Sequence, residues 1–375
     1  MIIGILKEIK NKENRVSLTP FGVKMLVAAG HQVLVQQSAG SGANFTDKEY
    51  RSAGALIRNT AEEIYQEAEM IIKVKEPLPE EFPLLRENQI IFTFLHLAAA
   101  PELTRLLLEK KVIAIAYETV QLNGMLPILT PMSEIAGKLA VQVGAHYLEK
   151  QNGGEGILLG GVPGVAAAEV LIIGGGNVGT SAAKIALGMG ASVTMLDINL
   201  ERLRYLDDVF QSRLNLLSST AENIEQAIPK TDLLVGAVLI PGAKAAKVVT
   251  RAMIAQMRKG AVVVDVAIDQ GGCIETSKAT SFDHPVYEID GVIHYCVPNI
   301  PGCVPRTSTF ALVNATLPYI LKLANLGCSE ALRKDPALRR GLNMYKGKLT
   351  NPAVAEAYNL KYITEDQLDT LLSRE

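Results

Sequence analysis

The segment from Glu169 to Asp197 constrains this chain more than any other. Glu169-Val-Leu-Ile-Ile173 is an apolar run of strand length, and Gly174-Gly-Gly-Asn-Val-Gly179 follows it directly. A stretch of helical character runs from Thr180 to Met189, and a second apolar run, Ala191-Ser-Val-Thr-Met-Leu196, ends in Asp197. Strand, G-x-G-x-x-G, helix, strand and acid, in that register, form a dinucleotide-binding fingerprint. Gly174 permits the tight turn, Gly176 lets the backbone approach a pyrophosphate, and Gly179 lets the helix pack closely on the strand. The helix N-terminus offers N–H groups and a positive dipole end to phosphates. Asp197 falls where a carboxylate accepts hydrogen bonds from ribose hydroxyls. Glycines also mark ordinary turns, so the motif alone would be weak. The full register predicts a bound nicotinamide or flavin dinucleotide.

The chain has 375 residues, too many for one ordinary core, so two domains are expected. Its 37 basic and 39 acidic residues leave a net charge of −2, and no global field attracts nucleic acid or an anionic membrane. No uninterrupted apolar run reaches the roughly 18 residues of a membrane span. The opening Met-Ile-Ile-Gly-Ile-Leu-Lys-Glu is charged too early for a signal peptide and reads as a first strand. Cys273, Cys296, Cys303 and Cys328 form no C-x-x-C pair, which fits reduced thiols rather than a disulfide or zinc framework. A cytoplasmic location is expected.

Residues 1–125 alternate strand-like and helix-like segments. Strands are expected at Ile2–Leu6, Gln32–Gln36, Met70–Lys75, Ile90–Leu95 and Val112–Tyr117. Thr19-Pro20 sets an N-cap and first helical residue, and Gly30 closes that helix. Thr46-Asp-Lys-Glu49 and Thr60-Ala-Glu-Glu63 are capping boxes. Alternating β and α segments imply a parallel sheet covered by helices. A long helix is expected from about Ser133 to Lys150, ended by Asn152-Gly-Gly154. Further strands are expected at Leu233–Leu239, Val262–Ile268 and Ile293–Val297, and a second long helix from Thr307 to Leu326, kinked at Pro318. The remaining fifty or so residues are too few for an easy independent core. The expected fold is therefore α/β with two Rossmann-like, doubly wound domains and a cleft between them. A substrate domain of residues 1–130 plus 306–375 is interrupted by a nucleotide domain of residues 131–305.

Ligands of open parallel sheets bind beyond the carboxyl ends of the strands. Lys75 and His96 end two of the expected strands, and Arg15 lies in the loop after the first. Each alone would ordinarily be a solvated cation or a satisfied core histidine, but three at one sheet edge point to a site. Asp269 follows a strand too apolar to end in a carboxylate by chance, whereas Asp265, mid-strand, competes as a buried structural acid. Asn299 also follows a strand, although a proline-flanked Asn is commonly a turn residue. His31, His146, His284 and His294 have no such placement and read as structural.

These residues resemble one known family, the L-alanine dehydrogenases, over nearly the whole chain. The similar motifs are Lys7-Glu-Ile-Lys10 with Glu13-Asn-Arg-Val-Ser-Leu-Thr-Pro20, Lys73-Val-Lys-Glu-Pro77, Phe92-Thr-Phe-Leu-His-Leu97 and Ala116-Tyr-Glu-Thr-Val120. Pro131-Met-Ser-Glu-Ile-Ala-Gly137, Gly160-Gly-Val-Pro-Gly-Val165, Leu196-Asp-Ile-Asn199 and Gly236-Ala-Val-Leu-Ile-Pro-Gly242 continue the match. Val264-Asp-Val-Ala-Ile-Asp-Gln-Gly-Gly272 and Val304-Pro-Arg-Thr-Ser-Thr309 complete it.

The resemblance implies NAD-dependent oxidative deamination of L-alanine to pyruvate and ammonium, and the reverse reductive amination. It assigns the substrate carboxylate to Arg15, the carbonyl oxygen to Lys75, acid/base work to His96 and assistance at the reacting carbon to Asp269. Met132 and Asn299 would line the substrate site. NAD would be held by the glycine motif (Gly174, Gly176, Asn177, Val178 and Gly179), with Ser133, Asp197, Arg202, Ser219, Val238 and Leu239. Val266, Ala267, Ile268, Asp269, Val297, Pro298, Asn299 and Ile300 would complete the cofactor site, with Lys278 near the phosphates. The resemblance also implies a homohexamer, and no ligand set for a metal is evident. The chemistry suits the residues, because a guanidinium grips a carboxylate in two-pronged geometry and an imidazole exchanges protons near neutrality. Two neighbouring readings are the NAD-binding subunit of a proton-translocating transhydrogenase, which needs no carboxylate clamp, and lysine- or saccharopine-forming dehydrogenases with a larger side-chain pocket. A non-catalytic NAD-binding protein would keep the glycine motif without the strand-end His and Lys.

Overall fold

The computed structural model describes residues 1–238 and 245–373. The chain divides into two compact units, Met1–Met132 together with the stretch from Val304 onward, and Ser133–Cys303.

The first unit is built on β1 (Ile2–Ile5), β2 (Gln32–Gln36), β3 (Leu56–Arg58), β4 (Met70–Ile72), β5 (Ile90–Thr93) and β6 (Ile113–Ala116). They lie in the order β3-β2-β1-β4-β5-β6, all parallel. The order reverses between β1 and β4, the switch point at which doubly wound sheets bind ligands. A C-terminal hairpin, Leu342–Tyr345 and Lys348–Leu349, extends the sheet antiparallel beyond β6. All of β4, β5 and β6 is buried, as expected where helices cover both faces of a parallel sheet. The helices start where local chemistry satisfies their first amides. Thr19 accepts the Gly22 N–H ahead of α1 (Pro20–Ala28). Thr46 and Thr60 form complete capping boxes for α2 (Asp47–Ser52) and α3 (Ala61–Glu67).

Two of these strands are shorter than the apolar runs that announce them. β4 stops at Ile72 rather than Lys75, and the Val74 N–H donates to Glu8 Oε1 at 2.6 Å. β5 stops at Thr93 rather than Leu95, where the Leu95 and His96 amides turn to the Glu118 carboxylate.

The second unit carries β7 (Glu169–Ile173), β8 (Ser192–Asp197), β9 (Asn215–Ser218), β10 (Leu233–Gly236), β11 (Val262–Asp265), β12 (Val286–Ile289) and β13 (Val292–Tyr295). Their order is β12-β13-β11-β10-β7-β8-β9, parallel except for β12. The sheet therefore repeats the first unit's winding, with its switch point between β7 and β10. The strand expected to run to Ile268 ends at Asp265 and passes into a 3-10 turn, Val266–Gln270. Asp265 causes the change, because its carboxylate accepts the Ala267, Cys273 and Ile274 amides and the Ser277 hydroxyl. Asp265 is thus a structural acid, and Asp269 sits in the turn rather than at the strand's end. The strand expected to reach Leu239 ends at Gly236; Leu239 lies outside the described residues.

The two long helices are shifted from expectation. One covers Thr130–Tyr147, and the other begins with Pro305 in its first turn and runs through Pro318 to Leu326.

Candidate active site

Arg15 is 2% exposed, in the loop after β1. Its Nε and Nη2 donate to the two oxygens of Glu13 at 2.7 and 2.6 Å, and Nη1 donates to Met132 Sδ at 3.3 Å. The structure therefore joins Arg15 and Met132. It also shows that one edge of the guanidinium fork already holds a carboxylate of the chain itself.

Lys75 and His96 share a neighbour. Lys75 Nζ stands 5.9 Å from the centre of the Phe94 ring, and the His96 ring stacks parallel to that ring with centroids 5.9 Å apart. The His96 side chain is half exposed. Beneath this edge lies a buried ionic group. Lys73 Nζ donates to Glu81 Oε1 at 2.8 Å and lies 3.4 Å from Glu8 Oε2, and the Tyr65 hydroxyl also donates to Glu81. Burial opposes the Lys73 charge, but Glu8 and Glu81 outweigh it and hold the ammonium above its ordinary pKa. Burial raises the Glu8 pKa, opposed by Lys73 and the Val74 amide. Glu8, Glu13, Phe94 and Glu118 were not singled out in the sequence. Glu13 stands two residues from Arg15, and Phe94 and Glu118 lie inside quoted motifs, so proximity to the strand ends was the available signal.

In the second unit the glycine motif has the geometry its residues foretell. Gly174 has φ of +105°, and a Cβ on Gly179 would run into the Gly174 carbonyl. A Cβ on Gly176 would meet nothing within 4 Å, so the space above that backbone is open, as a pyrophosphate requires. The helix Asn177–Gly188 starts there, with Gly176, which has no side chain, at its N-cap. Asp197 Oδ2 accepts the Gly175 N–H at 2.6 Å and Oδ1 the Asn199 N–H at 2.8 Å. A carboxylate offers about four acceptor positions, so two serve the loop and two suit the ribose hydroxyls. These residues fit a dinucleotide.

Arg202 braces the loop, donating from Nε to the Gly175 carbonyl at 2.7 Å and from Nη2 to the Thr180 hydroxyl at 2.9 Å. Ile198, beside Asp197, is 83% exposed and offers an apolar face that sequence reading missed. The Ser219 N–H donates to the Asp197 carbonyl, which sets that residue at the end of β9.

The Asn299 N–H donates to Asp269 Oδ1 at 3.0 Å, joining two further candidates, and Asn299 has a left-handed backbone. Ala267, Ile268, Val297 and Ile300 are buried, whereas Ser133, Val178, Val238, Val266 and Pro298 are half-buried. Asn177 is exposed on the first turn of its helix, and Lys278 is exposed. His294 is buried between the Thr276 hydroxyl and the Val292 carbonyl, a structural placement. Cys273, Cys296 and Cys303 are free, and burial raises the pKa of Cys273 and Cys296, which keeps both as thiols. Among the described residues no three His, Cys, Asp or Glu side chains group as a metal site.

Comparisons with known proteins bear on both units. Residues 4–136 match the alanine dehydrogenase/PNT N-terminal domain and residues 140–352 the alanine dehydrogenase/PNT C-terminal domain. An alanine dehydrogenase of Methanococcus maripaludis is 60% identical over 364 residues, covering 96% of this chain and 98% of that one. One of Staphylococcus haemolyticus is 57% identical over 371 residues, covering 98% and 99%. A solved L-alanine dehydrogenase superposes with a TM-score of 0.93 at 54% identity, covering 96% of this chain and 99% of its own. A transhydrogenase of Sinorhizobium meliloti, at 24% identity and a TM-score of 0.81, shares the fold over 94% of this chain. The chain belongs to the alanine dehydrogenase/PNT family.

Proposed function

We propose that the protein catalyses the NAD-dependent oxidative deamination of L-alanine to pyruvate and ammonium, and the reverse reductive amination. The reading is carried by the carboxyl edge of the first unit's sheet. There Arg15 with Met132, and Lys75 and His96 both beside the Phe94 ring, follow neighbouring strands in a chain 60% identical to an alanine dehydrogenase.

The chemistry NAD supplies when bound is acceptance of the hydride leaving the substrate Cα. Arg15 grips the substrate carboxylate through its Nη1/Nη2 edge while Glu13 holds the Nε/Nη2 edge, so the fork is oriented before substrate arrives. Met132, against Nη1, presents an apolar thioether where a small side chain must pack. His96 takes a proton from the water that attacks the imine and returns it to the departing amine. Lys75 donates to the oxygen that bears charge in the carbinolamine step. Asp269 assists at the reacting carbon, and Asn299 lines the substrate site. Gly174, Gly176, Gly179 and Asp197 hold the dinucleotide, with Asn177 and Val178 at the helix N-terminus.

No described helix is long and apolar enough to cross a membrane. A cytoplasmic homohexamer is the proposed form, on family likeness.

Appearance of NADH absorbance on mixing the protein with L-alanine and NAD tests the activity, and its absence would exclude it. His96→Ala is expected to lower kcat by about a hundred- to ten-thousandfold while NAD still binds. Retention of more than about half of the wild-type kcat would make His96 structural.

A further inference from the structure

We infer that Glu118 is the positioning residue for His96, holding the two amides that turn the chain at the end of β5. The inference rests on the reading of His96 as the acid/base. Glu118 lies in the 3-10 turn Tyr117–Thr119, directly after β6, the parallel neighbour of β5. Its Oε1 accepts the His96 N–H at 2.6 Å, and both oxygens accept the Leu95 N–H at 3.2 Å. Oε1 also stands 3.9 Å from His96 Nδ1.

His96 needs such a brace. Its φ of 49° and ψ of 40° lie in the left-handed region, unfavourable for a residue with a Cβ. Hydrogen bonds from amides to an ionised carboxylate are the strong kind, and two consecutive amides aimed at one carboxylate fix the direction in which the chain leaves β5. The next residue is tied as well, because the Leu97 carbonyl accepts both the Thr104 hydroxyl at 3.0 Å and the Tyr358 hydroxyl at 2.7 Å. The backbone is thus fastened on both sides of a half-exposed imidazole, and its stacking on Phe94 sets the ring plane. Removing the carboxylate leaves two amides without their acceptor and the left-handed backbone without its support. The imidazole then loses its reactive position, although the substrate clamp at Arg15 is untouched.

The experiment measures kcat, KM for L-alanine and NAD affinity in Glu118→Ala, Glu118→Gln, Glu118→Asp, His96→Ala and the double variant Glu118→Ala/His96→Ala. Glu118→Ala is expected to lose about a hundredfold in kcat, the scale of a misplaced catalytic group, with KM and NAD affinity within about threefold. Glu118→Gln, whose amide oxygen still accepts the N–H groups, recovers to within about tenfold of the wild type, whereas Glu118→Asp, one methylene short, does not. The double variant turns over no more slowly than His96→Ala, because the two residues act as one unit. If Glu118→Ala does not fold, the contrast between Gln and Asp carries the test, and equal activity of those two overturns the inference. So does a Glu118→Ala enzyme with more than about half the wild-type kcat, or a double variant slower than His96→Ala by the full Glu118 factor. Normal turnover in His96→Ala would overturn the acid/base reading itself. An inactive His96→Ala beside an active Glu118→Ala would overturn only the role of Glu118.

Discussion

Arg15 shows how much a single residue can carry when its partners are fixed. With Glu13 on one edge of the fork, a lysine at position 15 could not keep both side-chain hydrogen bonds that the guanidinium gives that buried carboxylate, and would present a point charge where a planar edge stood. A charge-assisted hydrogen bond is worth roughly 1.5–3 kcal/mol, and about 1.4 kcal/mol is tenfold in affinity. Arg15→Lys is therefore expected to raise KM for pyruvate and for L-alanine at least about tenfold. Steady-state kinetics in both directions check this, and an unchanged pyruvate KM would remove Arg15 from the substrate site.

At the scale of elements, one device recurs: a carboxylate accepts the amides where a parallel strand gives way to its loop. Glu8 does so after β4, Glu118 after β5, Asp197 beside β7 and Asp265 after β11. The device also opens helices. Asp335 caps the helix Pro336–Gly341, accepting the Ala337 and Leu338 amides and pairing with Lys322. Burial opposes its charge, but those donors outweigh burial and hold the carboxyl below its ordinary pKa. A carboxyl whose pKa is depressed by folding adds stability above its unfolded value, about 3.9, and that stability is lost as pH falls through the folded value. Asp335→Ala is expected to cost about 1 kcal/mol near neutral pH, with the difference from the wild type shrinking in acid. Chemical denaturation at several pH values checks the trend, and a pH-independent difference would mean that the cap acts without its charge. This device also explains where sequence reading succeeded and where it stopped. The central parallel strands and the Thr-capped starts of α1, α2 and α3 were legible, because apolar runs and Thr caps are local signals. The ends of β4 and β5 were not, since Glu8 and Glu118 reach amides 66 and 22 residues away in the chain. β3, β9 and β12 were missed for another reason. Each is the edge of a sheet, short and partly exposed, so none shows the continuous apolar run of a covered strand. Of the site, the residues at strand ends could be named from the sequence, but the partners that orient them could not.

Across the whole molecule one winding order is used twice; in the proposed reading the first unit's sheet edge carries Arg15, Lys75 and His96 for the substrate, and the second unit carries the dinucleotide residues together with Asp269 and Asn299. A ligand that binds only the folded protein stabilises it by RT ln(1 + [L]/Kd), about 2.7 kcal/mol at a hundred times Kd. NAD is therefore expected to raise the melting temperature of the wild type, Arg15→Lys and His96→Ala by equal amounts. Asp197→Ala should lose most of that shift at the same NAD concentration, because the carboxylate anchors the glycine loop through Gly175 and meets the ribose. In the proposed reading Asp197 also sets the choice between NAD and NADP. A 2′-phosphate would bring like charges within roughly 4 Å, a repulsion of about 4 kcal/mol per pair at an effective dielectric of about 20. The two nearby arginines do not offset it, since Arg202 is turned to Gly175 and Thr180, and Arg204 pairs with Glu201. NADP should accordingly shift the wild-type melting temperature far less than NAD at equal concentration, and Asp197→Ala should narrow the gap chiefly by weakening NAD. Equal shifts from the two cofactors in the unaltered protein would overturn this role for Asp197, and loss of the NAD shift in Arg15→Lys would overturn the division of tasks.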